Sequence, residues 1–179
     1  MYSFSCCFSR SPAITPMRIH CSGGYFSASH FIVFENGFCE PLHGHNFRVE
    51  ATLDAPLNEA GYAVDFLVVN EALKDILQPW RERLLLPRNN RDFSIERNGS
   101  QFEISYTQPD GTPLFWSIPA EHCVLVNVVN TTAELLAQTI AKLLWKRLSP
   151  QTPLNWVEIS LEETQGCAAV CRIPPDKYL

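Results

Sequence analysis

The sequence predicts an α+β fold, an antiparallel sheet with two helices packed on one face. Three observations carry that expectation: polar and apolar residues alternate through two early segments, helical spacing recurs in two separate stretches, and the chain closes on strand-like sequence. Of the 179 residues, 46% are hydrophobic and 18% charged, enough apolar material for one packed core and too much for a disordered chain. No apolar run is long enough to span a membrane. A net charge of −5 with scattered Lys and Arg gives no footprint for nucleic acid or an anionic membrane surface.

Residues 1–16 are expected to form a flexible leader, because MYSFSCCFSRSPAITP lacks the basic start and sustained apolar stretch of a secretory signal; a single domain then fills 17–179. A strand is expected from 17 to 34, with Gly23 and Gly24 at a bulge or bend. Turn formers in ENGFCEPLHG lead to a second strand with Phe47, Val49, Ala51 and Leu53 on one face, and the two pair antiparallel. A helix follows, with Phe66, Val69, Leu73, Ile76 and Leu77 on one face, Asp65 near its start and Pro79 ending it. Asn98-Gly99 and Asp110-Gly111 are two-residue turn signals between alternating segments, so an inserted strand meander is expected around 88–121. VLVNV is a short strand. The second helix, NTTAELLAQTIAKLLWKRL, is expected to be capped by Asn130 or Thr131, with Glu134 in its first turn and basic residues at its end. NWVEISLEETQGCAAVCRI closes as a single strand.

Seven cysteines at irregular spacing are poor material for a disulfide framework, and a reducing cytoplasm is the expected location. Most read as small buried hydrophobes. Cys167 and Cys171 lie about 13 Å apart along a strand, too far to chelate one ion. His43 and His45 share one strand face, about 6.6–6.8 Å apart. An antiparallel return sets His30 beside them, so three imidazoles meet, and three histidines with an open fourth position suit catalytic zinc. A lone His-x-His is also a common surface pair; the clustering of three of the five histidines favours metal, whereas His20 and His122 have no such grouping. Cys39, four residues before His43, is a candidate general base or nucleophile, with a zinc ligand or a buried thiol as alternatives. Glu162 and Glu163 point to opposite strand faces. One of them can enter a pocket and accept a forked hydrogen bond from an amino-pyrimidinone edge; two solvated carboxylates are the alternative.

In their order and spacing, FSASH, CEPLHGHNF, GYAVDF, NTTAELLA and LEETQGCA resemble the 6-pyruvoyltetrahydropterin synthase and 6-carboxytetrahydropterin synthase family, from about residue 17 to 170. The resemblance implies the tunnelling fold (T-fold), with trimers closing their sheets into a barrel and stacking into a homohexamer. It implies zinc on His30, His43 and His45, a pterin-anchoring glutamate at Glu163, and Thr132 and Glu134 lining the pterin pocket. The implied substrate is 7,8-dihydroneopterin triphosphate, and no membrane or nucleic-acid partner is expected.

The sequence departs from the family at two places. Where the family carries a Leu-Asp-His segment that supplies a proton relay, this chain has WRERLLLPR, with Arg81 and Glu82 at the Asp and His positions. Glu82 or His122 is the candidate replacement. Cys39 is retained as in the carboxytetrahydropterin synthases of the queuosine pathway, and Glu40 follows it as in the branch that forms 6-hydroxymethyl-7,8-dihydropterin for folate. The expected function is thus a zinc-dependent lyase giving one or both products, with Cys39 and Glu40 as candidate catalytic residues. A pyruvoyltetrahydropterin synthase that eliminates triphosphate, and a catalytically idle pterin-binding homologue, are the alternatives.

Overall fold

In the computed structural model, residues 16–174 are described. The expected leader, apart from Pro16, lies outside the described residues, as do Cys6, Cys7 and the last five residues of the tail. β1 (Pro16–His30) and β2 (His43–Pro56) form the long antiparallel pair the alternation predicts. The first strand ends at His30 rather than near residue 34 because the chain turns there into a short hairpin with one bridge, Val33 to Cys39. α1 (Phe66–Leu77) and a 3-10 turn (Gln78–Trp80) lead into β3 (Arg83–Pro87), a strand not anticipated from the sequence. β4 (Ser94–Asn98), β5 (Gln101–Thr107) and β6 (Pro113–Pro119) make a separate three-stranded sheet whose turns fall at the Asn-Gly and Asp-Gly pairs. β7 (Cys123–Val126), α2 (Ala133–Leu148), β8 (Trp156–Thr164) and β9 (Cys167–Ile173) complete the chain.

The main sheet has the order β7-β3-β1-β2-β8-β9. Its β1, β2, β8 and β9 pairings are antiparallel, but β3 runs parallel to both β1 and β7, so the sheet is mixed. Parallel neighbours need a crossover. Between β3 and β7 that crossover is the three-stranded sheet, which packs its own core of Phe31, Phe93, Ile104 and Tyr106 against the edge of the main one. The expected single closing strand is instead the β8–β9 hairpin, broken at Gly166, whose φ of +82° suits a turn and disfavours a side chain.

The two helices cover one face of the main sheet. Along β2, Phe47, Val49, Ala51 and Leu53 are fully buried under them, as the alternation predicts. α1 starts at the Asp65 cap, whose carboxylate accepts the Leu67 N–H. Its buried stripe is Val69, Ala72, Leu73 and Leu77; Phe66, expected on that stripe, is the first residue of the helix and 57% exposed. α2 is capped by Thr132 rather than Asn130 or Thr131. Those two side chains are engaged elsewhere: Thr131 donates to Phe31 O, and the Asn130 amide pairs with the Val33 backbone.

A bulge in β1 decides which way the strand's last residues face. Cys21 pairs with Ala51 but Gly24 with Val49, so one extra residue is absorbed between them, as the two glycines predict. Before it Ile19 and Cys21 are buried; after it the phase switches to Phe26, Ala28 and His30. The bulge therefore turns His30 inward. A Cβ on Gly24 would meet Val49 Cβ at 3.0 Å and Leu77 Cδ1 at 3.1 Å. Gly24→Ala is expected to destabilise the protein by about 1–3 kcal/mol, an overpacking cost read from the urea midpoint; an unchanged midpoint would show that the bulge relaxes freely.

Candidate active site

The β1–β2 ladder places His30 opposite His43 and Ala28 opposite His45. The three imidazoles contact one another, with ring centroids 4.7 to 5.3 Å apart, and their available ligand atoms lie within 4.8 Å of one another. His30 Nδ1 lies 2.8 Å from Thr131 O, and His43 Nδ1 lies 2.9 Å from Pro41 O. A backbone carbonyl only accepts, so each Nδ1 is the protonated nitrogen and each Nε2 carries its lone pair toward the common centre. His30 is almost fully buried, and that burial lowers its pKa, which favours the neutral, metal-binding form. Its Nε2 is a buried atom with no hydrogen-bond partner; Glu163 Oε1 is 3.1 Å away but off the hydrogen-bond line. An unpartnered nitrogen among two other imidazoles is the donor set that a metal such as zinc completes.

Two of the three imidazoles, His30 and His43, line a cavity of about 510 Å³ together with Glu40, Thr132, Glu134 and Glu163, with the β8–β9 turn closing one side, whereas His45 lines a neighbouring opening on Ser27–Ser29 and Glu82. Glu163 is the extra residue of a bulge in β8, between Glu162 opposite Ala168 and Thr164 opposite Cys167. It continues the buried row of Val157, Ile159 and Leu161, whereas Glu162 faces the other side and pairs with Arg48 at 3.5 Å. Thr132 and Glu134 enter from the first turn of α2.

Adjacent residues 39 and 40 separate sharply. Glu40 is on the cavity wall, its Oε1 accepting the Ile32 N–H at 2.9 Å and lying 3.8 Å from His43 Nδ1. Cys39 is buried in the core beneath the small sheet. Burial, with the charge of Glu40 adding to it, pushes the Cys39 thiol up to about 11. The two candidate relay replacements also differ. Glu82, in a left-handed conformation with φ +57°, lies beside His45 and Asn46 in a smaller cavity; Arg81 stacks on Tyr25 at 5.0 Å; His122 is exposed and faces Glu121. His20 is away from the triad, against Thr52.

Sequence reasoning did not find Thr131, whose carbonyl orients His30, nor Gln108, whose amide holds the Cys39 backbone. These partners are 101 and 69 residues apart in the chain, and no local pattern marks such a pairing.

A family model described as 6-pyruvoyl tetrahydropterin synthase matches residues 22–174. The chain belongs to the 6-pyruvoyl tetrahydropterin synthase family. A Methanocaldococcus jannaschii member, provisionally named 6-carboxy-5,6,7,8-tetrahydropterin synthase, is 30% identical over 161 residues, covering 88% of this chain and 93% of its own. Among solved structures, the family's Plasmodium vivax 6-pyruvoyl tetrahydropterin synthase has a TM-score of 0.79 at 23% identity, over 89% of this chain and 99% of that one. A variant of the same enzyme, with a catalytic glutamate replaced by alanine, has a TM-score of 0.77 at 23% identity, over 89% and 98%. These likenesses bear out the T-fold.

The burial of Cys39 generates a chemical prediction. At pH 7.5 iodoacetamide should label exposed Cys167 in the folded protein and leave Cys39 unmodified, because a thiol with a pKa near 11 is almost wholly protonated there. Peptide mass spectrometry reads the result, and labelling of Cys39 as fast as Cys167 would show an accessible thiolate.

Proposed function

We propose that this family member is a zinc-dependent lyase that cleaves the side chain of 7,8-dihydroneopterin triphosphate between its first two carbons, releasing 6-hydroxymethyl-7,8-dihydropterin. The observation that carries this reading is Glu40, rather than Cys39, on the wall of the cavity that His30 and His43 line. His30, His43 and His45 would hold the cation, which supplies Lewis acidity at the side-chain hydroxyls. Glu163 offers two acceptor oxygens to the ring N–H and exocyclic amine of the pterin edge, and Thr132 and Glu134 close that end of the cavity.

Glu40 takes the proton of the second side-chain hydroxyl as the bond between the first and second carbons breaks. The bonding electron pair moves into the ring imine, and a proton returns to the first carbon. The aldehyde that leaves carries the triphosphate, so no oxidant or reductant is needed. The catalytic glutamate named for the Plasmodium vivax enzyme supports a carboxylate in this role. Formation of 6-carboxytetrahydropterin is the second reading, favoured by the name of the Methanocaldococcus jannaschii relative.

The same proposal assembles six chains as two stacked trimers in the cytoplasm. Phe66, Leu67 and Val68, all exposed on the single chain, supply apolar surface for burial between subunits. The described cysteines are all free thiols, in keeping with a reducing compartment.

Product chromatography after incubation with 7,8-dihydroneopterin triphosphate tests the reading. Wild type should yield 6-hydroxymethyl-7,8-dihydropterin, Glu40→Gln should lose about 100-fold or more in turnover, and Cys39→Ala should keep most of it. Full activity in Glu40→Gln would refute the assignment, and 6-carboxytetrahydropterin as the wild-type product would select the second reading.

A further inference from the structure

Residues 31–40 leave the triad at His30 and return to Glu40 as a small hairpin. Its arms meet at the bridge of Val33 with Cys39. The hydrogen bonds of that bridge come from the flanking residues: Glu40 N–H donates to Ile32 O at 3.0 Å and Phe34 N–H to Phe38 O at 2.9 Å. In such a pair the N–H and C=O of the bridged residues themselves point outward. Each outward pair meets one side-chain amide. Asn130 accepts from Val33 N–H at 3.2 Å and donates to Val33 O at 2.8 Å. Gln108, just past the end of β5, accepts from Cys39 N–H at 2.9 Å and donates to Cys39 O at 3.0 Å. Tyr106 adds a hydrogen bond to Gly37 O at 2.5 Å, and Gly37, with φ +81°, lies so close to Pro109 that a Cβ would stand 3.1 Å from its Cγ.

We propose that Gln108 is a positioning residue. By holding both backbone groups of Cys39, it sets the direction from which the next residue, Glu40, presents its carboxylate to the cavity. The role rests on Glu40 being the base. It gives the three-stranded sheet a function in the reaction, although none of its strands lines the cavity. A general base must come within about 2.6–3.2 Å of the proton it takes. Misplacement by about 1 Å can cost on the order of 100-fold in rate.

The test is a double-mutant cycle in steady-state kinetics with 7,8-dihydroneopterin triphosphate. Gln108→Leu removes both hydrogen bonds, and Gln108→Glu keeps the acceptor for Cys39 N–H but sets a carboxylate oxygen against Cys39 O. Gln108→Leu should lower kcat by about 10- to 100-fold while KM stays within about threefold, and Gln108→Glu should lower kcat as well. Combined with Glu40→Gln, Gln108→Leu should add almost nothing, because the carboxylate it positions is already gone. Zinc content and melting temperature verify folding; should Gln108→Leu not fold, Gln108→Glu carries the same cycle. Unchanged kcat in the folded variants overturns the proposal, and so does full additivity with Glu40→Gln, which a purely structural role would give. Failure of the underlying reading is distinct: wild type forms no product, or Glu40→Gln alone is fully active, and the positioning role then falls with it.

Discussion

The register of the β1–β2 ladder is the constraint on which the rest of the site depends. Side chains alternate along a strand, so a slip of one residue sends every one of them to the other face. His43 and His45 belong to the same row as Phe47, Val49, Ala51 and Leu53, and the fully buried apolar residues lock the phase of the two imidazoles. β1 has to meet them from a strand that starts in the opposite phase, and the bulge at residues 22–23 supplies the correction. Phe26 stacked on Phe47 at 4.9 Å, with the edge of Trp80 against Phe26, then holds the corrected register up to His30. A second bulge, at Glu163, leaves that residue outside the ladder at the point where β8 passes the triad. Two single-residue irregularities therefore aim the site, and the hydrophobic rows that flank them make the aim rigid.

Burial does the rest. Burial of His30 favours its neutral imidazole, and Thr131, itself fixed by donating to Phe31, orients the ring through its carbonyl at Nδ1, so that the buried Nε2 presents a lone pair suited to a cation. The same contrast of environments separates neighbours 39 and 40. One is drawn into an apolar core and loses its thiolate; the other reaches the cavity with its carboxylate oriented by a backbone N–H.

What the sequence revealed follows the range of its signals. The β1–β2 pair, the meander and both helices were legible because alternation, Asn-Gly and Asp-Gly turns and helical spacing are local. The triad was legible because His43 and His45 are two apart and His30 ends the partner strand. β3 was missed because Arg83–Pro87 is short and buried on both faces, so Leu84, Leu85 and Leu86 show no alternation. The closing hairpin was missed because Gly166 is its only strong turn residue. The cap of α2 was misplaced because Asn130, Thr131 and Thr132 all suit the position, and tertiary hydrogen bonds from the first two choose the third. The placement of Glu40 on the cavity wall and of Cys39 in the core was beyond local sequence signals, since Cys39 packs against a sheet some seventy residues away and its backbone bonds Gln108.

The central claim is that three imidazoles, brought together by strand register, form a metal centre that excludes the neighbouring thiol. X-ray absorption of the purified protein loaded with zinc tests it most directly. The account predicts one zinc per chain with nitrogen or oxygen neighbours at about 2.0–2.1 Å, at least three of them imidazole, and the loss of that signal in His30→Ala. A sulfur neighbour at about 2.3 Å, or a full complement of zinc in His30→Ala, would contradict it.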